Sequence, residues 1–169
     1  MRLLVSGSPH PASANSRLLD AFAALDPASA YKSADYLADL PVFQPALDKS
    51  PIPEIVTRWR REVGVAEAVI VCTPAYLHNI PGVLKNALDW LASSGELNAV
   101  PTIAMTFTPG PPRGARAMQS LLWSLTALNA RVLTSAELYQ SDAIWADNGE
   151  LAESDLSEMI AALASLLDE

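Results

Sequence analysis

Short, unbroken apolar runs alternate along this chain with stretches whose apolar residues recur every three or four positions. The runs are Arg2-Leu3-Leu4-Val5, Ala68-Val69-Ile70-Val71-Cys72, a segment near 100–106 and another near 131–139, with a weaker extended segment near 30–36. A strand that is apolar at successive positions is buried on both faces, the habit of strands in a parallel sheet. The periodic stretches predict helices near 14–25, 54–64, from Pro81 onward, 114–128 and 152–167. Their inward stripes are Leu18, Leu19, Phe22 and Leu25 in the first, and Val83, Leu84, Ala87, Leu88 and Leu91 in the third. The fourth carries Met118, Leu121, Leu122, Leu125 and Leu128, and the fifth Leu156, Met159, Ile160, Leu163 and Leu167. Five strands and five helices in alternation predict an α/β fold, a doubly wound parallel sheet in the order 2-1-3-4-5 with helices on both faces. Between residues 36 and 53 lies a proline-bearing connection too long for a tight turn.

A chain of 169 residues with no repeat, low-complexity tract or linker is expected to form a single domain, residues 1–169. Half the residues are apolar and 18% are charged, a globular balance, and no run lasts the ~18 apolar residues of a membrane span. The chain opens on a strand without a basic leader and apolar run, so a cytoplasmic location is expected. A net charge of -8 argues against nucleic acid, whose phosphates call for a basic face. The lone Cys72 excludes an intrachain disulfide, and one cysteine with two histidines makes no convincing metal cluster.

In the predicted strand order, the loops after strands 1, 3 and 4 converge over the carboxyl edge, where such sheets bind ligands. These loops also have the most unusual composition. The first, Gly7 to Arg17, offers the hydroxyls of Ser8, Ser13 and Ser16 and the amide of Asn15 just before a helix, donors suited to a phosphate monoester. The same residues would also serve as an ordinary helix cap at Ser13 or Asn15. Its glycines fit neither the P-loop nor the dinucleotide pattern. The second loop holds Thr73, Pro74, Tyr76, His78 and Asn79, where a rigid backbone and an aromatic ring can flank a planar ligand. The third runs from Thr108 to Arg116 and places Arg113 and Arg116 at a helix start, where an anion would offset their mismatch with the dipole. Solvated surface charge is the plain alternative for both arginines. No nucleophile, base and orienting group form a triad. Cys72 ends an apolar strand and reads as an inert core thiol, while Trp90 lies off its helix's leucine stripe and is expected to face a subunit partner. Trp59, Trp123 and Trp145 read as packing or surface aromatics.

With these residues in view, the chain resembles the NADPH-dependent FMN reductase family of flavodoxin-like proteins, which includes quinone, azo-dye and chromate reductases. The resemblance spans nearly the whole length. Its most specific part is Thr73-Pro74-Ala75-Tyr76 followed by Ile80-Pro81-Gly82-Val83-Leu84-Lys85-Asn86-Ala87-Leu88-Asp89-Trp90. Gly7-Ser8 with Ser13 and Asn15 is similar to the family's phosphate loop, and Gly114-Ala115-Arg116-Ala117 to the opening of its fourth helix. The resemblance implies FMN as cofactor, NADPH or NADH as co-substrate, a small-molecule electron acceptor and a homodimer. The cofactor-binding set it implies is Ser8, His10, Ser13, Asn15 and Ser16 around the phosphate, and Pro74, Ala75, Tyr76, Leu77 and Thr108 around the ring, with no catalytic side chain. His10 stands where the family has arginine, Ala75 where it has glutamate, and Leu77-His78 in place of its asparagine segment. Ring contacts through backbone N–H at Ala75 or Leu77 survive those changes. Two other activities are compatible with the same fold: a flavodoxin-type electron carrier without nicotinamide turnover, and a flavin-free interaction module.

Overall fold

A computed structural model describes residues 1–168. Its order is β1 Arg2–Ser6, α1 Ala14–Ala24, β2 Tyr31–Ser33, α2 Glu54–Gly64, β3 Ala68–Thr73, α3 Gly82–Asp89, β4 Pro101–Thr108, α4 Ala115–Ala127, β5 Arg131–Tyr139 and α5 Asp155–Ser165. The five strands form one sheet in the order β2-β1-β3-β4-β5, and every pairing is parallel. This is the expected doubly wound, flavodoxin-like topology. The register sets Ser6 beside Cys72 and Thr73 beside Thr106, so the first, third and fourth strands end close together.

Alternate residues of each central strand feed two cores. Val69, Val71 and Ala104 pack under α2, α3 and α4 with Trp59, Leu84 and Leu121. Ile70, Cys72, Ile103 and Met105 pack on the other side under α1 and α5 with Leu18, Phe22 and Ile160. Every residue of β3 is buried, which explains its unbroken apolar run. Each fully buried leucine or isoleucine stabilises the fold by roughly 1.5–3 kcal/mol relative to exposure.

Several expectations change in detail. β2 is only three residues long, and Leu37–Asp39 form a short 3₁₀ turn that no periodicity announced. Leu25 and Met159, placed in the core by spacing, are exposed by 39% and 48%. The larger correction concerns Trp90. It is fully buried, its Nε1 donates to the Pro41 carbonyl at 2.8 Å, and its ring meets Phe43 edge-on at 5.1 Å. The long 41–53 connection folds back on α3 and covers the tryptophan from within the same chain. Asn86 completes this clamp, accepting from the Phe43 N–H at 2.8 Å and donating to the Pro41 carbonyl at 3.0 Å. Trp59 is likewise a packing residue, donating to the Ala87 carbonyl at 2.9 Å, whereas Trp123 lies 67% exposed.

Candidate functional site

The first loop leaves β1 at Ser6 and lies directly on β3. Only glycine permits that approach at position 7, because a Cβ there would stand 2.4 Å from Thr73 Oγ1 and 2.9 Å from Leu84 Cδ2. Ser13 caps α1, its Oγ accepting from the Ser16 N–H at 3.1 Å. Ser16 Oγ lies 3.0 Å from Ser13 Oγ and donates to Ser6 Oγ at 3.1 Å, so three hydroxyls form a chain beneath the helix start. Ser8 Oγ accepts from the His10 N–H at 3.2 Å, which keeps the hydroxyl proton available to a ligand.

Ala14 and Asn15 offer first-turn N–H groups that have no partner among the described residues, and the turn contains no acidic side chain. Those donors suit an anion. The Asn15 side chain lies deeper than its sequence position suggested. It is 3% exposed, and its Oδ1 accepts from Cys72 Sγ at 3.3 Å, so the side chain ties α1 to the end of β3. Burial pushes the Cys72 thiol well above its ordinary range, as expected of an inert core group. Ser6, the last residue of β1, joins the hydroxyl chain beneath α1 although only its polarity at the end of an apolar strand signals it in the sequence.

The second loop is a tight reversal. Tyr76 N–H donates to the Asn79 carbonyl at 2.8 Å and Asn79 N–H returns to Tyr76 at 2.9 Å, enclosing Leu77 and His78 at φ 51° and 62°. Both central residues have positive φ, as in a type I′ turn, a conformation usually reserved for Asn-Gly. Leu77 is 99% exposed and Tyr76 49%. The N–H groups of Ala75, Leu77 and His78 have no partner among the described residues, so this loop offers backbone donors beside the half-buried Pro74. The third loop is braced by Thr108, whose Oγ1 donates to the Arg113 carbonyl at 2.9 Å. Gly114, at φ 109°, lies over Thr106, where a Cβ would come within 2.8 Å of Oγ1. That Thr106 Oγ1 is fully buried without a partner. Arg113 and Arg116 are exposed and form no ion pair among the described residues.

These loops bring the expected residues to one edge of the sheet, but they form two arrangements. Ser8 and Ser16 border a cleft of about 220 Å³ that extends towards the end of β2, whereas the 74–79 loop stands over the β3–β4 edge outside it. The residues present fit FMN: hydroxyl and N–H donors for a phosphate at α1, free backbone donors with an aromatic at 75–78, and a glycine cradle joining the two. Among the described residues there is no cluster able to hold a metal ion and no helix long and apolar enough to cross a membrane.

The fold is flavodoxin-like, and its three loops meet at the carboxyl edge of the sheet. The sequence matches the family described as NADPH-dependent FMN reductase over residues 1–143, and the chain belongs to that family. Its relatives include a quinone reductase of Pseudomonas putida, 29% identical over 153 residues covering 88% of this chain and 82% of that one. Another is an NADH:(hydroxy)cinnamate reductase subunit of Vibrio ruber, 32% identical over 156 residues covering 89% and 77%. Among solved structures, a flavoenzyme NAD(P)H:(acceptor) oxidoreductase from Paracoccus denitrificans superposes with a TM-score of 0.80 at 21% identity, covering 99% of this chain and 94% of that one. The protein is accordingly an oxidoreductase of a family that works with FMN and NAD(P)H.

Proposed function

We propose that the chain is an NAD(P)H:acceptor oxidoreductase that holds FMN across the first and second loops and reduces a small, planar, quinone-like acceptor. The observation that carries this reading is the convergence, in a member of this family, of α1's unpaired N–H groups with the unpaired N–H groups of the 74–79 loop. Bound FMN supplies the two-electron chemistry between nicotinamide and acceptor that no side chain here offers.

The protein's own part is positioning. Ala14 and Asn15 N–H, the Ser8 hydroxyl and His10 hold the phosphate, while Ser13 and Ser16 keep the helix start in shape. Pro74 and Tyr76 flank the ring, and the N–H groups of Ala75 and Leu77 donate to its polar edge, so the loss of the family's side-chain contacts at 75 and 77 is tolerated. Thr108 acts through the loop it braces. Arg113 and Arg116 serve as peripheral cations.

The acceptor is a quinone or similar molecule because the open 74–79 loop presents an aromatic and an apolar side chain to solvent rather than a charged pocket. We place the protein in the cytoplasm as a homodimer, a state in which the exposed Leu77 and Trp123 would gain cover. Titration with FMN tests the site: binding gives a perturbed flavin spectrum and a higher melting temperature, and Ser8→Ala, which removes a hydroxyl assigned to the phosphate, weakens it more than Cys72→Ala. Equal affinities for the two variants would defeat the phosphate-loop assignment, and no binding at saturating FMN would favour a flavin-free interaction module.

A further inference from the structure

The first loop fixes one residue by both of its backbone groups and leaves the side chain free. His10 N–H donates to Ser8 Oγ at 3.2 Å, and the His10 carbonyl accepts from the Ser13 N–H at 3.1 Å. Its backbone is thus pinned between the Ser8 hydroxyl and the residue that caps α1, just ahead of the unpaired Ala14 and Asn15 N–H groups. The imidazole is exposed and forms no ion pair among the described residues.

The other charges around this loop are negative or engaged. On α1, Arg17 lies 3.7 Å over the Trp145 ring, donates to the Gly149 carbonyl at 3.1 Å, and shares a cavity with Asp20 and Glu150. Asp20 and, after β2, Asp35 line the cleft that Ser8 and Ser16 border. Beyond them, Lys32 binds Glu62 at 2.7 Å. Arg113 and Arg116 belong to the third loop, and His78 to the turn over the β3–β4 edge. A phosphate monoester at the start of α1 therefore meets neutral donors and two nearby carboxylates. His10 is the unengaged group of that loop able to carry positive charge.

The charge state of His10 then matters. A neutral imidazole offers one N–H, whereas an imidazolium offers two donors and a full charge. Histidine is the side chain whose charge ordinarily changes between about pH 5 and 8. Above about pH 6 a phosphate monoester is mainly the dianion, and a dianion beside the ring favours the imidazolium. FMN binding and protonation are thus linked with a definite sign. Where the free protein has lost the His10 proton and the loaded protein keeps it, binding takes up a proton, so affinity falls as pH rises.

We infer that His10 holds the FMN phosphate as an imidazolium and makes cofactor loading pH-dependent, tight at mildly acidic pH and loose at alkaline pH. The inference rests on the FMN reading above and adds the regulation of that site.

The test is fluorescence titration of the flavin-free protein with FMN between about pH 6.5 and 8.5, in wild type and single variants. The variants are His10→Gln, His10→Arg, His78→Gln, Arg17→Gln and Asp20→Asn, each checked for folding by its melting transition without FMN. In wild type, Kd should rise about tenfold across this range. His10→Gln should bind weakly and His10→Arg tightly, both with little pH dependence, while the other three keep the wild-type slope. Calorimetry at about pH 7.5, in two buffers of different ionisation enthalpy, should show uptake of part of a proton with FMN in wild type and none in His10→Gln. A flat wild-type profile overturns the inference, as does a slope that survives His10→Gln or disappears in His78→Gln, Arg17→Gln or Asp20→Asn. Those outcomes leave the FMN reading standing. No FMN binding by the wild type at any pH overturns both.

Discussion

Gly7 shows how much of the site depends on a single missing Cβ. With Thr73 Oγ1 2.4 Å and Thr73 Cβ 2.7 Å from where that atom would lie, Gly7→Ala must lift the first loop from β3. Such overpacking costs typically about 1–3 kcal/mol, so the variant should unfold at lower urea concentration and bind FMN more weakly. Unchanged stability would mean the loop is looser than its contacts imply. Cys72 gives a second prediction at this scale. Its thiol is buried, and its pKa is raised above the ordinary 9.0. Above that pH the unfolded chain releases the proton while the native state keeps it, so the native state binds more protons and stability falls as pH rises. Below it the thiol is protonated in both states and contributes no slope. Denaturation profiles should therefore decline above about pH 9, and more gently in Cys72→Ala. Burial also pushes the Tyr31 hydroxyl up to about 12, adding to the decline at still higher pH. A native thiol that reacts freely with alkylating reagents would contradict this picture of Cys72.

Among the elements, the 76–79 reversal is under strain. Leu77 and His78 both occupy the left-handed region, where a non-glycine residue costs of order 1–3 kcal/mol. Replacing the pair by Asn-Gly should raise stability by about 1 kcal/mol in chemical denaturation. A fall would show that the Leu77 and His78 side chains make contacts worth more than the strain they impose. This turn was invisible in the sequence for a physical reason. Leu-His carries none of the Gly or Asn signals on which turn recognition depends, and only the closing bonds between Tyr76 and Asn79 force the conformation. Trp90 was misjudged for a related reason: its partner is irregular backbone at Pro41, 49 residues upstream, and helix periodicity is blind to such a contact. The motif that carries the family resemblance thus contains a clamp, Asn86 with Trp90, that holds the 41–53 connection. By contrast, β3 and α4 were legible because burial on both faces, or along one stripe, writes itself into the residue pattern. The ligand loops were legible as hydroxyl-rich and proline-rich interruptions. The division of labour within them was not, because whether Asn15 faces a phosphate or Cys72 depends on tertiary packing.

For the molecule as a whole, the parallel sheet gathers three loops at one edge, and the net charge of -8 leaves that edge with few free cations. On the proposed reading, phosphate recognition falls to backbone donors and hydroxyls at α1. The central claim is that this arrangement supports nicotinamide-driven turnover of a bound flavin, which a simple electron carrier of the same fold lacks. The most direct measurement is anaerobic stopped-flow absorbance of the FMN-loaded protein mixed with NADH or NADPH, followed by addition of benzoquinone. The account predicts that the bound-flavin absorbance bleaches much faster than free FMN under the same conditions and returns when the quinone is added. Bleaching no faster than that of free flavin with either nucleotide would contradict it and leave an electron carrier in its place.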